Sequence, residues 1–404
     1  MVSTFAGVEV RLLRSSRADE LHLTAVAGPG RPIQEQARGV YTALREALAA
    51  AGASVLFERI FSNERVLRYV LSERGTLGVT EAAPTRLLVS PGRTGPFAGI
   101  QVHAVASEQP PRPIAIDDER PARGLELRIG SDRWLTLSGL SPSPRNPPGR
   151  QAQQMFDAAG RFLRQAGTDM RSVARTWLWL RDVCGWYGDL NAARTAFFRR
   201  EGLIVPAGGP STAATSRPHR APARHRLPAS TGIGLGCASG AACAMDLLAL
   251  PGAEDRIEFL EAAGDQDSAF AYGSAFSRAA IAPMPGGRTL LVSGTAAIDA
   301  QGRTEHVGQI EAQIDDTLRH VRALLARAGC GDEHVLSALV YCRTPRVEQA
   351  FRSGWAGLSW PAVSMIADVC RPDLLFEIEL VAGPVPQGQP GTQQPPRAPG
   401  GGSG

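Results

Sequence analysis

The chain has 404 residues, of which 43% are hydrophobic and 20% charged, a composition typical of a soluble globular protein with two or three domains. Its formal net charge of only +4 does not indicate a nucleic-acid binder. No apolar run reaches the ~18 residues of a membrane span, and the N-terminus shows no signal-peptide core, so we expect a cytoplasmic protein without membrane attachment.

Arginine supplies every basic side chain, since the sequence contains no lysine. Schiff-base lysines and P-loop lysines are therefore excluded, and a bound anion must be held by arginines, hydroxyl groups or backbone amides. The six cysteines form no CxxC pair, and the seven histidines show no ligand spacing. We therefore expect neither a metal site nor a disulfide framework.

Three segments share one pattern of predicted elements: a strand, a turn, a long amphipathic helix that ends near Ala-Gly, and a second strand. They span residues 21–61, 134–183 and 289–343. In the third, TLLVSGTAAID precedes the helix IEAQIDDTLRHVRALLARAGCGD and the strand VLSALVYCR. Strands that alternate with helices in this way predict α+β or α/β layers, each a sheet covered by helices on one face.

The stretches that follow the repeats are also similar. The second repeat is followed by a helical stretch (187–200) and LPASTGIG (227–234), and the third by 347–355 and WPAVSMIADV (360–369). Pro228-Ala229 and Pro361-Ala362 thus occupy matching places, whereas the first repeat ends more loosely in TRLLVSPGR and GPFAGIQVHAVA. We expect a pseudo-trimer of three units, or two full units and a degenerate one.

The domain boundaries are predicted from changes in composition. We place a degenerate N-terminal unit at 1–107, a second unit at 125–250 and a C-terminal unit at 251–383. The segment 108–124 is rich in Pro and charge and is expected to be a boundary loop. Residues 206–225 are rich in Pro, Gly, Ser and Ala and predict a mobile insertion, and 384–404 predict a disordered tail.

Two carboxylates occur on a predicted strand near the C-terminus. Glu377 and Glu379 lie two residues apart in LLFEIEL and therefore face the same side of that strand. Among Leu, Phe and Ile, a charged carboxylate is costly unless this face meets solvent or each glutamate pairs with an arginine. The alternative is a proton donor with a raised pKa.

The C-terminal unit resembles the RidA/YjgF superfamily. The resemblance rests on the LVSG strand, a helix ending in Ala-Gly, the Pro-Ala pair and the EIE-x-x-A strand. It implies an α+β fold in which an open sheet is backed by two helices, with units arranged as trimers and sites at the clefts. Deaminases of that superfamily have an arginine directly after Pro-Ala, where this chain has Ser230 and Val363. The resemblance therefore does not extend to imine deamination.

Four motifs, WYGDLNAARTAFFRREG, LPASTGI, AYGSAFSRA and ADVCRPDLLFEIEL, resemble the chorismatase family. Those enzymes are single chains of RidA-like units that act on chorismate in secondary metabolism. The resemblance implies a C-terminal catalytic unit, chorismate as small-molecule substrate, no metal or organic cofactor, and a monomer, because three internal units fill the place of a trimer.

Chorismate carries two carboxylates, so its binding requires arginines that form bidentate hydrogen bonds. The candidates are Arg278 in the motif AYGSAFSRA, Arg194 in NAARTAFF, and Arg343 at the end of a buried strand. A surface position or an ion pair is the alternative for any single arginine. Further substrate-binding candidates with hydroxyl or backbone donors are Tyr187, Tyr272, Tyr341, Ser230, Thr231 and Gly232.

Loss of the enolpyruvyl group can begin with protonation of its methylene carbon by an acid whose pKa is near neutrality. The resemblance implies that Glu377 is this acid, with Glu379 in support. Cys370, seven positions earlier, resembles the family branch that forms 3-hydroxybenzoate and pyruvate, a product typical of polyketide starter units. Hydrolysis to a dihydroxycyclohexadiene carboxylate is the alternative product outcome. A non-catalytic RidA-like protein that binds a small acid is the alternative from another functional class.

Overall fold

Three mixed β-sheets and six α-helices make up the described chain in this computed structural model, which covers residues 2–5, 7–28, 30–77, 83–92, 95–115, 123–205 and 224–386. The N-terminal elements, in chain order, are β1 (Val2–Phe5), β2 (Val8–Arg14), β3 (Asp19–Val26), α1 (Ile33–Ala51), β4 (Ser54–Ser62), α2 (Glu64–Leu77), β5 (Thr85–Leu88) and β6 (Phe97–Ala106).

The middle part of the chain supplies β7 (Arg112–Ile114), β8 (Gly124–Ile129), β9 (Asp132–Leu140), α3 (Pro148–Gln165), β10 (Val173–Leu180), α4 (Val183–Arg200), β11 (Ile204–Val205), β12 (Arg224–His225), β13 (Ala229–Ile233), β14 (Gly236–Cys237) and β15 (Cys243–Ala249). The C-terminal part supplies β16 (Glu258–Leu260), β17 (Ala279–Met284), β18 (Gly287–Ala296), α5 (Ile310–Arg327), β19 (Val335–Cys342), α6 (Pro345–Gly354), β20 (Ala362–Ile366) and β21 (Phe376–Ala382).

The three sheets have the same strand order. It is β1-β2-β3-β6-β4-β5 in the first sheet, β7-β8-β9-β15-β10-β13 in the second and β16-β17-β18-β21-β19-β20 in the third. In each, the strand that follows the first helix pairs in parallel with an edge strand that comes after the second helix: β4 with β5, β10 with β13, and β19 with β20. The predicted α+β fold of tandem RidA-like units is therefore confirmed, and the N-terminal unit has the complete strand order despite its weak sequence repeat.

The long helices α1, α3 and α5 end as their sequences predict. Gly52, Gly167 and Gly329 follow them with φ of 61°, 74° and 70°, the left-handed conformation that glycine adopts without a Cβ clash. The apolar stripe of each helix packs against one face of its own sheet. The other faces of the sheets meet one another, with Phe57, Trp177 and Leu339 among the shared apolar side chains.

The predicted boundary segment 108–124 needs correction, because it contains strand β7 and the start of β8. Its residues 116–122 lie outside the described residues. The predicted insertion and tail also lie largely outside them; at their described ends, β12 pairs with β11 and Val385 donates its backbone N–H to the Arg288 carbonyl. Strand β14, from the second segment, extends the first sheet beside β5. The domain limits remain predictions.

Within the described residues, the helices are all too short or too polar to cross a membrane.

Candidate active site

A pocket of about 460 Å³ opens between the second and third sheets. The seam between these sheets is closed by two hydrogen bonds between β13 and β18. The Ser230 backbone N–H donates to Ser293 Oγ at 2.9 Å, and the Gly294 N–H donates to Thr231 Oγ1 at 2.9 Å. Helix α4, the segment before β17 and the corner before β21 complete the walls.

Eight of the predicted site residues line this one pocket. They are Tyr187, Arg194, Ser230, Gly232, Tyr272, Arg278, Cys370 and Glu377. These residues come from four separate stretches of the sequence and meet because β13 of the second sheet lies along β18 of the third.

Glu377 lies on the pocket wall in the middle of the third sheet and is 5% exposed. Burial, and in second place the negative charge of Glu379, raise the pKa of its carboxyl group to about 8, although the Arg175 guanidinium partly opposes this shift. Its carboxyl group forms no hydrogen bond with another described residue, and it lies directly against the backbone of Gly294. At neutral pH, Glu377 is therefore mostly a neutral acid that faces the pocket.

Glu379, on the same strand face, has a different environment. Its carboxylate accepts hydrogen bonds from Arg175 at 2.8 Å and from the Trp177 indole N–H at 3.0 Å. Arg175 also donates to Thr231 Oγ1 at 2.6 Å. Glu379 is thus the arginine-paired carboxylate of the two sequence-based alternatives, whereas Glu377 is the carboxylate with a raised pKa.

Two guanidinium groups of the pocket are almost fully buried. Arg278 and Arg194 are 1% and 2% exposed, and neither forms an ion pair with a described carboxylate. Arg278 donates to the Asp267 carbonyl through two nitrogens, and Arg194 donates to Asn191 Oδ1 at 2.6 Å while its Nε has no partner among the described residues. Because buried cations are normally paired, these groups suit an anionic ligand.

The aromatic and thiol groups of the pocket are uncharged at neutral pH. Burial raises the pKa of both Tyr187 and Tyr272, so each keeps its phenolic proton. Burial, followed by the nearby Glu377, raises the pKa of the half-buried Cys370 thiol to about 12. The Tyr272 ring lies 5.4 Å from the Arg278 guanidinium and 5.6 Å from that of Arg371.

Three predicted residues do not line the pocket. Thr231 belongs to the seam, where Arg175 and Gly294 occupy its hydroxyl oxygen. Tyr341 is fully buried behind the glutamates, directly opposite Glu377 in the register of β19 and β21. Arg343 is the main correction: it donates to the carbonyls of Arg371 and Pro372, and so stabilises the corner before β21 rather than facing the pocket.

The pocket also contains residues that sequence reasoning missed. Arg371 contributes a third guanidinium, and Ser274, Phe276 and Gly294 complete nearby walls. Ser274 and Phe276 lie inside the motif that carries Arg278, so the motif itself could have indicated them. Arg371 lies in the motif ADVCRPDLLFEIEL but was not among the predicted site residues, and its side chain donates to the Gly302 carbonyl, which is distant in sequence.

The groups that could bind a metal lie elsewhere. Within the described ranges, neither cluster of His, Asp and Glu ligand atoms, Glu20-His22-His103 or Glu305-Asp316-His320, includes a residue of the pocket.

Comparison with known proteins agrees with the sheet topology. Residues 267–383 match the family model described as Endoribonuclease L-PSP, which supports the RidA/YjgF superfamily for the C-terminal unit. A crystal structure of a chorismatase is similar with a TM-score of 0.57 and 18% identity, over 94% of this chain and 100% of that chain. At this identity the likeness shows the fold. No curated protein is a sequence match to the chain.

Single-unit structures are also similar to part of the chain. A YjgF family member from Neisseria meningitidis covers 31% of this chain and 92% of its own, with 22% identity and a TM-score of 0.24. A putative endoribonuclease from Thermotoga maritima covers 32% of this chain and 98% of its own, with 22% identity and a TM-score of 0.26.

Proposed function

We propose that this protein is a chorismatase that converts chorismate to 3-hydroxybenzoate and pyruvate. The observation that carries the proposal is the pairing, in one pocket, of a neutral buried carboxyl group at Glu377 with two buried guanidinium groups that lack carboxylate partners. The pocket thus offers a proton donor beside a place for a dianion. The four chorismatase-like motifs and the fold shared with a solved chorismatase support chorismate as that dianion.

The substrate is held by charge and hydrogen bonds. Arg278, Arg194 and Arg371 bind the ring carboxylate and the enolpyruvyl carboxylate, and the Tyr187 and Tyr272 hydroxyl groups orient the ring. With Glu377 uncharged, no carboxylate in the lining repels the substrate. The same interactions place the enolpyruvyl methylene within reach of Glu377.

Glu377 then donates its proton to the methylene carbon, and the ether carbon becomes an oxocarbenium ion. The neighbouring ring hydroxyl oxygen displaces the activated side chain to form an arene oxide, and pyruvate departs with the ether oxygen. The hydroxyl proton returns to the Glu377 carboxylate. Opening of the arene oxide and loss of a ring proton give 3-hydroxybenzoate, so chorismate divides into two products without water being consumed.

The test is product analysis. Purified protein is incubated with chorismate, pyruvate is quantified, and the organic acids are identified by liquid chromatography and mass spectrometry. We expect equimolar pyruvate and 3-hydroxybenzoate, in excess of the uncatalysed decay measured with the Glu377→Gln variant. Absence of pyruvate above that background would refute the proposal.

The two alternatives give different results in the same experiment. Hydrolysis would yield pyruvate with a dihydroxycyclohexadiene carboxylate, which is one water heavier than 3-hydroxybenzoate. This result would overturn the proposed product but not the role of Glu377 as the proton donor. A non-catalytic binding protein would bind chorismate without turnover, and Glu377→Gln would then leave its function intact.

A further inference from the structure

A second cavity of about 660 Å³ lies at the centre of the three sheets and shares no lining residue with the active-site pocket. All three sheets contribute side chains to it. On the wall formed by the first sheet, Glu20 and His22 of β3 lie beside His103 of β6. This cluster has no part in the proposed chemistry.

The cluster has the composition and spacing of a three-ligand metal site. His22 and His103 are directly opposite in the β3–β6 register, and their rings stack at 4.7 Å with planes 11° apart. Glu20 is two residues from His22 and therefore on the same face. Its Oε1 lies 2.6 Å from His103 Nε2 and 3.7 Å from His22 Nε2, and the three ligand atoms lie within 4.8 Å of one another.

We propose that Glu20, His22 and His103 bind a divalent transition-metal ion such as Zn²⁺. Two imidazoles and one carboxylate are a ligand set that Zn²⁺ accepts with one position left open, here towards the cavity. The second, independent observation is His22 itself, which is 5% exposed and whose Nε2 has no hydrogen-bond partner among the described residues. A buried imidazole nitrogen without a partner is costly, and a metal ion would satisfy it.

Convergence of the donors needs a rotation of the two rings, and the metal ion would replace the 2.6 Å contact between His103 Nε2 and Glu20 Oε1. The two rings must turn about χ2 so that their Nε2 lone pairs meet, and at His22 this rotation breaks no Nε2 hydrogen bond. Glu20 is already oriented, because its Oε2 accepts the Gly286 backbone N–H at 2.8 Å from the third sheet. Such outer-shell hydrogen bonds hold ligating carboxylates in place.

Two arginines line the cavity, and a carboxylate balances the charge of each, while Arg59 Nη2 and Arg175 Nη1 have no hydrogen-bond partner among the described residues. Arg59 pairs with Asp246 at 2.8 Å and Arg175 with Glu379 at 2.8 Å. Neither arginine pairs with Glu20, so the Glu20 carboxylate can interact with the ion and the two histidines. The competing interpretation is a hydrogen-bonded cluster that only joins the first and third sheets, and it predicts no metal affinity.

The test measures metal binding directly. The full chain is stripped with a chelator, dialysed, and titrated with Zn²⁺ by calorimetry and with Co²⁺ by visible absorption. We expect one ion per chain, d–d absorption bands of Co²⁺ bound to nitrogen and oxygen ligands, and a Tm that rises with Zn²⁺ because the ion binds only the folded state.

His22→Phe retains the ring stack but removes the nitrogen, and we expect it to lower Zn²⁺ affinity by at least roughly a hundredfold, since loss of an outer-shell partner alone costs about 10–100-fold. The control is His334→Ala, which removes a partly exposed histidine outside the cavity and should bind as the wild type does. Glu20→Gln, which keeps an oxygen for Gly286, replaces His22→Phe if that variant does not fold. Failure of the stripped wild type to bind Zn²⁺, or equal affinity in wild type and both cluster variants, would overturn the proposal.

Discussion

The two glutamates of β21 show how neighbouring carboxylates acquire different properties. Arg175 and Trp177 satisfy Glu379 with hydrogen bonds, whereas burial without hydrogen bonds raises the pKa of Glu377 to about 8. The negative charge on Glu379 contributes to the raised pKa of Glu377. A single strand thereby provides both an acid and the charge that helps to keep it protonated.

The first prediction concerns how activity depends on pH through the protonation of Glu377. Since its protonated form is the reactive one, kcat/KM is expected to be independent of pH well below 8 and to fall as pH rises through about 8. Glu377→Gln cannot donate a proton, and we expect kcat to fall by roughly 10²–10⁴-fold with chorismate binding retained. Steady-state kinetics of pyruvate release measures both. Activity that rises through pH 8, or a fully active Gln variant, would contradict the acid role.

The second prediction concerns Gly294, which gives Glu377 its space. A Cβ at residue 294 would lie 2.0 Å from Glu377 Oε1, so Gly294→Ala must move the carboxyl group. We expect kcat to fall on the order of a hundredfold, the cost of misplacing a catalytic group by about 1 Å. The matched control is Gly232→Ala in the same pocket, whose Cβ would meet the Tyr187 ring at an ordinary 3.6 Å. Equal losses in the two variants would indicate general damage to the pocket.

The third prediction concerns Cys370, whose thiol shares the pocket with Glu377. With a pKa of about 12, this thiol remains protonated, and we expect it to act through its bulk and its proton. Cys370→Ala opens space for water beside the oxocarbenium ion, so the product should shift towards the dihydroxydiene acid. The product ratio by mass spectrometry measures this shift, and Cys330→Ala, in the core of the third unit, is the control. An unchanged ratio of the two products in Cys370→Ala would contradict a role of the thiol in selecting the product.

At the scale of elements, the decisive feature is the seam between β10 and β13 of the second sheet and β18 and β21 of the third. Arg175, Thr231 and Glu379 form a buried hydrogen-bonded chain across it. Thr231 also accepts a hydrogen bond from the Gly294 N–H, so this series of hydrogen bonds extends to the backbone against which Glu377 lies. We therefore expect the packing of the two sheets and the pKa of Glu377 to be coupled.

Glu379→Gln tests that coupling and is the fourth prediction. It removes a negative charge near Glu377 and leaves Arg175 unpaired, and both changes lower the pKa of Glu377. The pH above which activity is lost should fall by about one unit. Trp177→Phe removes one hydrogen bond to Glu379 but no charge, so its pH midpoint should stay unchanged. A purely structural role of Glu379 would reduce stability in Glu379→Gln without moving the midpoint.

The sequence predicted those elements whose signal is local. The long helices α1, α3 and α5, with glycine after each, were predicted because a 3.6-residue apolar period and a left-handed terminator lie within a single stretch. Helix α2 was missed, and so was strand β7 within the supposed boundary loop. Strand β7 lies at the sheet edge and has only three residues, two of them exposed, which is too few to show an alternating pattern.

The pocket was predicted less completely, for a physical reason. Motifs identified residues such as Arg278 and Glu377, but the direction of a side chain at a strand end depends on the sheet packed against it. Arg343 and Arg371 show this: both flank the corner before β21, yet one bonds to the corner carbonyls and the other lines the pocket. No local pattern distinguishes them.

At the scale of the whole molecule, three similar sheets do not carry equivalent sites. Each sheet has an irregularity at the same place in the strand that follows its first helix. It lies between Val55 and Phe57 in β4, between Val173 and Arg175 in β10, and between Val335 and Ser337 in β19. When the registers are aligned on these irregularities, the position of Glu377 is occupied by Ala244 in the second sheet and Gly99 in the first. Among the described residues, only one of the three equivalent positions therefore carries an acid.

This asymmetry leads to the last prediction, that the chain is a monomer with one active site. In a trimer of single units every cleft joins two chains, whereas here the clefts join sheets of one chain, through contacts such as Ala229 with Ser277 and Gly234 with Asp368 between the second and third sheets and Ser90 with Ile366 between the first and third. Light scattering should give 42.8 kDa. Calorimetry of Glu377→Gln with chorismate should give one ligand per chain. A mass several times larger would contradict the monomer. Three ligands per chain would show that the three units bind equivalently, which the absence of a carboxylate from two of the three positions argues against.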